Sequence, residues 1–544
     1  MSASDQQEQH HFADYGTTTP TGNLEDVEDE IIPVRFWDEY YATFILHTGF
    51  RFDTKLDPDK LRTSLEKLME DRHRGWHRLG GRLRRNKDSD RLEYHVPAAY
   101  SRDHRPAFSY HVTSTHGDTS IGQHPLASCI PSSTSSMVDD GKPQFVGPID
   151  GVIRGLLRAP DEPTFLDDYL DPEQDCPLLA LHVVTFSDAT LISVCFSHAV
   201  LDATGLSDLM RAWSLVLQGR DNKVPRLVEH TAEGLDPLSL LDGSCAKSEL
   251  QMGENPEEEY KCSDKQLGIG QLLLLRIRLV IQRLWQRFFD PETRYDGQRE
   301  TRTVRVPVAF IESLRQQILT EAKSAPSFVS QGDVLYAWWA RHIVTARIPD
   351  AGTSNQTIGL VNAMNLRRML KLEGFLKEDE IFAGNALAII QAFMPAKELA
   401  SGPLGQAAAT LRKALKELGT LSQVKALLTL QRRALDGGNN KGSKMNWTRF
   451  VMFGDAGMDL IVCSNWTQAA LFELDMSGAA MKPTGLARPT NVMVDTTFPL
   501  RVGALFPSGF TILGKDSEHS SYWIQSRMRR EVWDKIEETG FLPT

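Results

Sequence analysis

A histidine and an aspartate stand four residues apart in "LISVCFSHAVLDATG", residues 191–205: His198 and Asp202. The apolar run before His198 has the length and residue types of a buried strand. After Asp202, Leu206, Leu209, Met210, Trp213, Val216 and Leu217 recur at helical spacing, and Gly219 is a fitting stop. The pattern therefore predicts a strand-to-helix turn that carries both polar residues, and ligand crevices form at such carboxyl ends of strands. An imidazole has an ordinary pKa near 6.5 and can take a proton at neutral pH. From these residues alone two readings stand open: a general base with an orienting carboxylate, or a core histidine followed by a helix cap. A second pair of the same spacing, His10 and Asp14 in "HHFAD", lies in a polar tail with no strand before it and cannot build a pocket.

The chain that must position this pair has 544 residues, 41% of them hydrophobic, enough for two to four domains with two large ones possible. Sixty basic against 71 acidic side chains give a net charge of -11, which argues against nucleic acid, since phosphate binding needs a basic face. The six cysteines are far apart and form no CxxC pair, which suggests reduced intracellular thiols, with no disulfide framework and no metal site. The polar start, "MSASDQQEQHHFADYG", reads as free of a signal peptide, so the expected location is cytoplasmic. The "NWT" tripeptides at Asn446 and Asn465 then carry no meaning as glycosylation sites.

Along the chain, residues 1–30 read as a disordered acidic tail. A helix is expected from residue 58, where "DPDKLRTSLEKLMEDRHRGW" puts Leu61, Leu65 and Leu68 on one face, and "LGGRL" (79–83) turns into a strand. Residues 112–143 are rich in Ser, Thr, Gly and Pro and read as a long mobile insertion. The runs 178–186 and 191–197 suggest a hairpin about "SDAT". A polar, irregular stretch at 220–265 looks like a linker. It divides an N-terminal domain (31–225) from a C-terminal one (301–544), with a crossover at 226–300. In the second half, strands are expected at 301–308, 383–393, 459–466 and 498–513. Helices are expected at 309–323 and 330–346, with one long helical stretch at 404–435. Alternating strands and helices in two halves imply α/β or α+β layers.

"LGIGQLLLLRIRLVIQRLWQRFF" (267–289) is long and apolar, but Arg276, Arg278, Arg283 and Arg287 interrupt it. A charge at mid-bilayer costs at least about 2.5 kcal/mol, so four exclude a membrane span. A basic amphipathic helix can lie on a membrane surface; packing across the two halves is the favoured reading.

Further segments, taken in order, resemble one family. "SLEKLMEDRHRGWHRLGGRL" (64–83) is similar to the early helix and Gly-Arg-Leu turn of the BAHD acyltransferases, especially their fungal branch with the trichothecene O-acetyltransferases. The run "VTFSDATLISVCFSHAVLDATG" (184–205) resembles that family's HxxxDG region. "SQGDVLYAWWAR" (330–341), "VNAMNLRRML" (361–370) with "IFAGNAL" (381–387), "CSNW" (463–466) and "DMSG" (475–478) are similar to its later motifs. There are departures. Ala203 and Thr204 stand between Asp202 and Gly205, where the family has Gly directly after the Asp. "DMSG" lacks both aromatics of "DFGWG". Ser197 precedes His198, whereas the peptide-synthetase condensation domains of the same fold show HHxxxD.

The resemblance implies two chloramphenicol-acetyltransferase-like domains with an active-site tunnel between them, and a monomer. It implies acyl transfer from an acyl-CoA, acetyl by default, to a hydroxyl of a polyketide or terpenoid, with acyl-CoA as co-substrate and no bound cofactor or metal. His198 would be the general base. An alcohol holds its proton near pKa 15.7, about nine units above an ordinary imidazole, so the proton must leave as the oxygen attacks. Asp202 would orient rather than accept a proton, turned from the cavity toward an arginine: Arg367, or less readily Arg368. Ser464 and Trp466 would supply donors to the tetrahedral oxyanion. Gly205 would allow close backbone approach, and Asn385, Asp333 and Asp475 would be structural. Two other outcomes stay open: a non-catalytic or regulatory protein that keeps the fold, and an N-acyltransferase that forms an amide.

Overall fold

The computed structural model describes residues 28–132, 141–228, 236–242, 258–289, 299–320, 327–436, 451–482, 485–497 and 508–541. The His10–Asp14 pair and most of the expected tail lie outside them. Glu30, placed in that tail by the sequence reading, instead opens the strand Glu30–Pro33, which pairs with Leu92–Val96.

Two sheets organise the molecule. The first has five strands in the order Asn491–Thr497, Ile45–Phe52, Thr190–Ser197, Leu179–Thr185, Ser109–Thr113. The second has seven: Leu387–Pro395, Thr357–Asn365, Asp459–Asn465, Ser508–Lys515, Ser521–Arg529, Arg299–Pro307, Gln144–Val146. Thr357–Asn365, Asp459–Asn465 and Ser508–Lys515 run parallel to one another, and most other pairings are antiparallel. Helices pack against both sheets, as layered α/β packing requires.

The two halves therefore exist, but their contiguous bounds of 31–225 and 301–544 do not hold. Asn491–Thr497 leaves the C-terminal half and pairs antiparallel with Ile45–Phe52. Gln144–Val146 does the reverse and edges the second sheet beside Arg299–Pro307. Backbone groups along Ile45–Phe52 and Arg299–Pro307 that would otherwise form sheet edges gain partners this way.

The core of the first half packs the helices Pro58–Met69 and Ala203–Leu217 on the first sheet. Pro58 follows an Asp57 cap whose carboxylate accepts from the N–H groups of Asp59 and Lys60, so the helix begins where the sequence predicts. Its Leu61, Leu65 and Leu68 are buried. The second core surrounds the helix Gln331–Arg347, with Trp338, Trp339 and Trp533 buried.

Three local expectations need correction. The stretch 404–435 is two helices, Leu404–Leu418 and Leu421–Asp436, broken at Gly419, the poorest helix former after proline. The insertion 112–143 is not mobile throughout: Ile121, Ala127 and Ile130 are buried against Ile153 and Leu157, while residues 133–140 lie outside the described residues. The late strand begins at Ser508, and residues 498–507 lie outside the described residues. The sequence reading also missed the strand Ser521–Arg529 and the helix Arg530–Thr539.

Candidate active site

His198 directly follows the strand Thr190–Ser197, and Asp202 caps the helix Ala203–Leu217. The backbone of His198 is held on both sides. Its N–H donates to the Phe44 carbonyl at 2.7 Å, and its own carbonyl accepts from Asn385 Nδ2 at 2.7 Å. The ring lies beside Tyr41, with centroids 5.3 Å apart, and Phe44, 6.3 Å away. Its Nδ1 is buried without a hydrogen-bond partner among the described residues. Burial pushes the imidazole below its ordinary value, against the opposing pull of the Asp202 charge. The shift favours the neutral ring at neutral pH, the form that can accept a proton.

Asp202 is buried, and both of its oxygens are taken. Oδ1 accepts from the Gly205 N–H at 2.9 Å and from Arg367 Nη2 at 2.8 Å. Oδ2 accepts from Arg367 Nη1 at 2.8 Å and from the Ala386 N–H at 3.2 Å. Arg367 completes its set with Nε to the Phe382 carbonyl and Nη2 to the Gly384 carbonyl, both at 2.8 Å. This is a bidentate buried pair with its remaining donors satisfied, the geometry in which such a pair is tolerated. Arg368, the other candidate, is exposed. A Cβ on Gly205 would lie 1.9 Å from the Ala383 carbonyl oxygen, so only glycine lets the helix approach this segment. The displaced glycine of the motif thus sits where the close approach occurs.

Ser464 and Trp466 stand at the end of the strand Asp459–Asn465. The Trp466 indole N–H donates to Ser464 Oγ at 2.8 Å. The indole proton is therefore spent on the serine, and Ser464 keeps its own O–H to donate. The chain after Trp466 returns to the helix Ala203–Leu217, where Ser207 Oγ donates to the Ala469 carbonyl. Asp475 closes a turn: Oδ1 accepts from the Ser477 and Ala487 N–H groups, and Oδ2 accepts from Gln218 Nε2. Asp333 forms a capping box with Ser330 and receives Arg412 Nε at 2.7 Å.

The sequence reading missed the support behind Asn385. The Asp38 carboxylate accepts from the Asn385 N–H at 2.7 Å and from Asn385 Nδ2 at 2.8 Å, and Arg35 Nε donates to its other oxygen at 2.6 Å. Tyr41, Phe44 and Asn365, which orients Arg367 and bonds Thr204, were also missed. The only signal was the short polar-aromatic run "FWDEYY" after Arg35.

One cluster among the described residues has donor atoms close enough to hold a metal: His47, Glu162 and Cys195. His47 Nδ1 already meets Glu162 Oε1 at 3.2 Å, and Cys195 Sγ lies 3.6 Å from the Tyr169 hydroxyl, so the group satisfies itself by hydrogen bonding.

The model of the Transferase family matches residues 161–261, which include His198 and Asp202. Acetyltransferase adrJ of Penicillium rubens is 32% identical over 540 residues, covering 96% of this chain and 98% of the relative. The chain belongs to the BAHD-type acyltransferases. This acyltransferase is also 33% identical to the transcriptional regulator calD of Penicillium decumbens, over 97% of the chain and 98% of the relative. O-acyltransferase pboC of Aspergillus ustus is 31% identical over 90% of the chain and 93% of the relative. Its fold is that of Fusarium sporotrichioides TRI101, solved with coenzyme A and T-2, at a TM-score of 0.60 and 15% identity over 93% of this acyltransferase and 97% of that chain. The two chloramphenicol-acetyltransferase-like units expected from the sequence are thus present.

Proposed function

We propose that this acyltransferase moves an acetyl group from acetyl-CoA to a hydroxyl of a polyketide or terpenoid, with His198 as the general base. The observation that carries this is the division of labour at the turn. Arg367 and two backbone N–H groups occupy Asp202, and burial leaves the His198 ring in its neutral, proton-accepting form. The acceptor hydroxyl gives its proton to the imidazole as its oxygen attacks the thioester carbonyl. The carbon–sulfur bond then breaks, and the imidazolium returns the proton to the departing thiolate. The Ser464 O–H, held by Trp466, is the candidate donor to the tetrahedral oxygen. The names of the relatives adrJ and pboC support the acetyl group and the oxygen acceptor.

A second reading, a regulatory protein that keeps the fold, draws on the name of calD. One experiment separates them. Purified protein is incubated with acetyl-CoA and hydroxylated polyketides and terpenoids, and products are followed by mass spectrometry. Acetylated product is expected from the wild type, and His198→Ala should lose about 10²–10⁴ in rate with an unchanged melting temperature. No product from the folded wild type, with acetyl-CoA failing to raise its melting temperature, would favour the regulatory reading.

A further inference from the structure

The helix Ile269–Phe289 commits only part of its apolar residues between 269 and 281 to the fold. Leu275 is buried and Leu272 partly so, both packed with Met452, Met458 and Leu460. Arg278 Nη1 donates to the Met458 carbonyl at 3.1 Å, which pins the helix to the second half. The opposite side is bare: Ile269 is 86% exposed, Leu273 56%, Leu274 60%, Ile277 45%, Val280 55% and Ile281 58%. At about 100° per residue these six positions fall within an arc of about 140°, and Leu272 and Leu275 lie outside it. Isolated exposed apolar residues are ordinary on soluble proteins; six on one helical face are not.

Charge says what covers this face. The whole chain carries -11, yet the 21 residues of this helix hold four arginines and no acid. By the same rotation Arg276 borders the apolar arc on one side, and it is only half-buried. A second copy of a net acidic chain offers no general attraction to such a face, whereas an anionic bilayer surface matches both its apolar stripe and its basic edge. No helix among the described residues is long and apolar enough to cross a membrane.

We propose that the face formed by Ile269, Leu273, Leu274, Ile277, Val280 and Ile281 docks this protein reversibly on an anionic lipid surface, with the helix lying in the interface. The stripe enters the acyl boundary while Arg276 meets headgroup phosphates. Docking there leaves His198 untouched, since no residue of the candidate active site belongs to this helix.

The test is flotation of the full-length protein with phosphatidylcholine vesicles, with and without a phosphatidylserine fraction. Wild type is expected to float with the serine-containing vesicles and to fall back in high salt. Arg276→Gln should weaken partitioning about fivefold, one basic charge near the surface being worth about 1 kcal/mol. Leu273→Asp with Ile277→Asp should abolish flotation with circular dichroism and melting temperature unchanged, because these side chains are exposed already. Equal flotation by the double variant overturns the proposal, as does failure of the wild type to float. A dimer in sedimentation velocity that the same double variant dissolves, without vesicle binding, would assign the face to a second copy instead.

Discussion

Asp202 and Arg367 should be coupled far more strongly than a surface pair, and a double-mutant cycle measures by how much. Asp202 is 5% exposed and Arg367 is 9% exposed. Removing either leaves the other charge buried and uncompensated, at about 3–5 kcal/mol. Arg367→Met belongs at the upper end of that range. It also strips the donors from the Phe382 and Gly384 carbonyls, each bond worth about 1 kcal/mol. Asp202→Asn keeps one oxygen for the helix cap but turns an NH₂ group toward Arg367 and the Ala386 N–H, donor against donor. The variant carrying both changes has no stranded charge, so its cost should fall short of the sum by at least about 2 kcal/mol. Guanidinium unfolding midpoints of the four proteins give the coupling, and acyl transfer at a temperature where all are folded gives the effect on the turn that carries His198. Additive costs, or an Arg367→Met cost below about 1 kcal/mol, would refute the claim that this pair fixes the turn.

Gly205→Ala puts a Cβ 1.9 Å from the Ala383 carbonyl oxygen, and overpacking against backbone should cost at least about 3 kcal/mol, read as a lowered melting temperature. Ser464→Ala should lower kcat by about 10²–10³ if its hydroxyl donates to the oxyanion, while Trp466→Phe, which removes only the bond that orients that hydroxyl, should cost on the order of tenfold. Equal losses, or none from Ser464→Ala, would count against that assignment. His342 is buried, and burial pushes it down to about 4, below its ordinary value of 6.5. Above pH 6.5 it is neutral folded and unfolded, so it contributes no pH dependence there. As pH falls toward 4 the unfolded chain takes a proton that the folded one refuses, and stability drops, by about 2 kcal/mol at pH 5. Denaturant titrations of wild type and His342→Leu should show a stability loss between pH 7.5 and 5 that is smaller by about 2 kcal/mol in the variant.

Local signals carried the parts of the fold that local energetics decide. The cap at Asp57 and the spacing of Leu61, Leu65 and Leu68 place a helix without reference to the rest of the chain, and the hairpin Leu179–Thr185 with Thr190–Ser197 closes over four residues. The strand Asn491–Thr497 was not legible. "NVMVDTT" is short and half polar, and its partner Ile45–Phe52 lies more than 400 residues away, so only the tertiary neighbour makes it a strand. The insertion at 112–143 misled for the opposite reason. Its composition is that of a loop, but Ile121, Ala127 and Ile130 are spaced so that three side chains suffice to dock it. At the site, His198, Asp202 and Arg367 could be placed from the motif order. Asp38 could not, because its hydrogen bonds to Asn385 span 347 residues and leave no periodic trace.

These long-range bonds decide how the site is held. Segment 365–386 of the second half holds the turn through several bonds: Arg367 and the Ala386 N–H take the carboxylate of Asp202, Asn365 Nδ2 donates to the Thr204 hydroxyl, and Asn385 takes the carbonyl of His198. Asn385 is in turn gripped by Asp38, whose charge Arg35 offsets, so the clamp is anchored back on the first half. Phe44, beside that anchor, receives the His198 N–H at the start of the strand Ile45–Phe52, and that strand is paired along its other edge by Asn491–Thr497 from the second half. The imidazole is therefore placed partly by bonds within the first half and partly by bonds from Arg367, Asn385 and Ala386 that exist only when both halves are docked, and the exchanged strands tie the halves together. A base that must act as the acceptor oxygen attacks gains from being fixed before substrate arrives. The two buried ion pairs contribute to this geometry more than to stability, which apolar substitutes could supply as well.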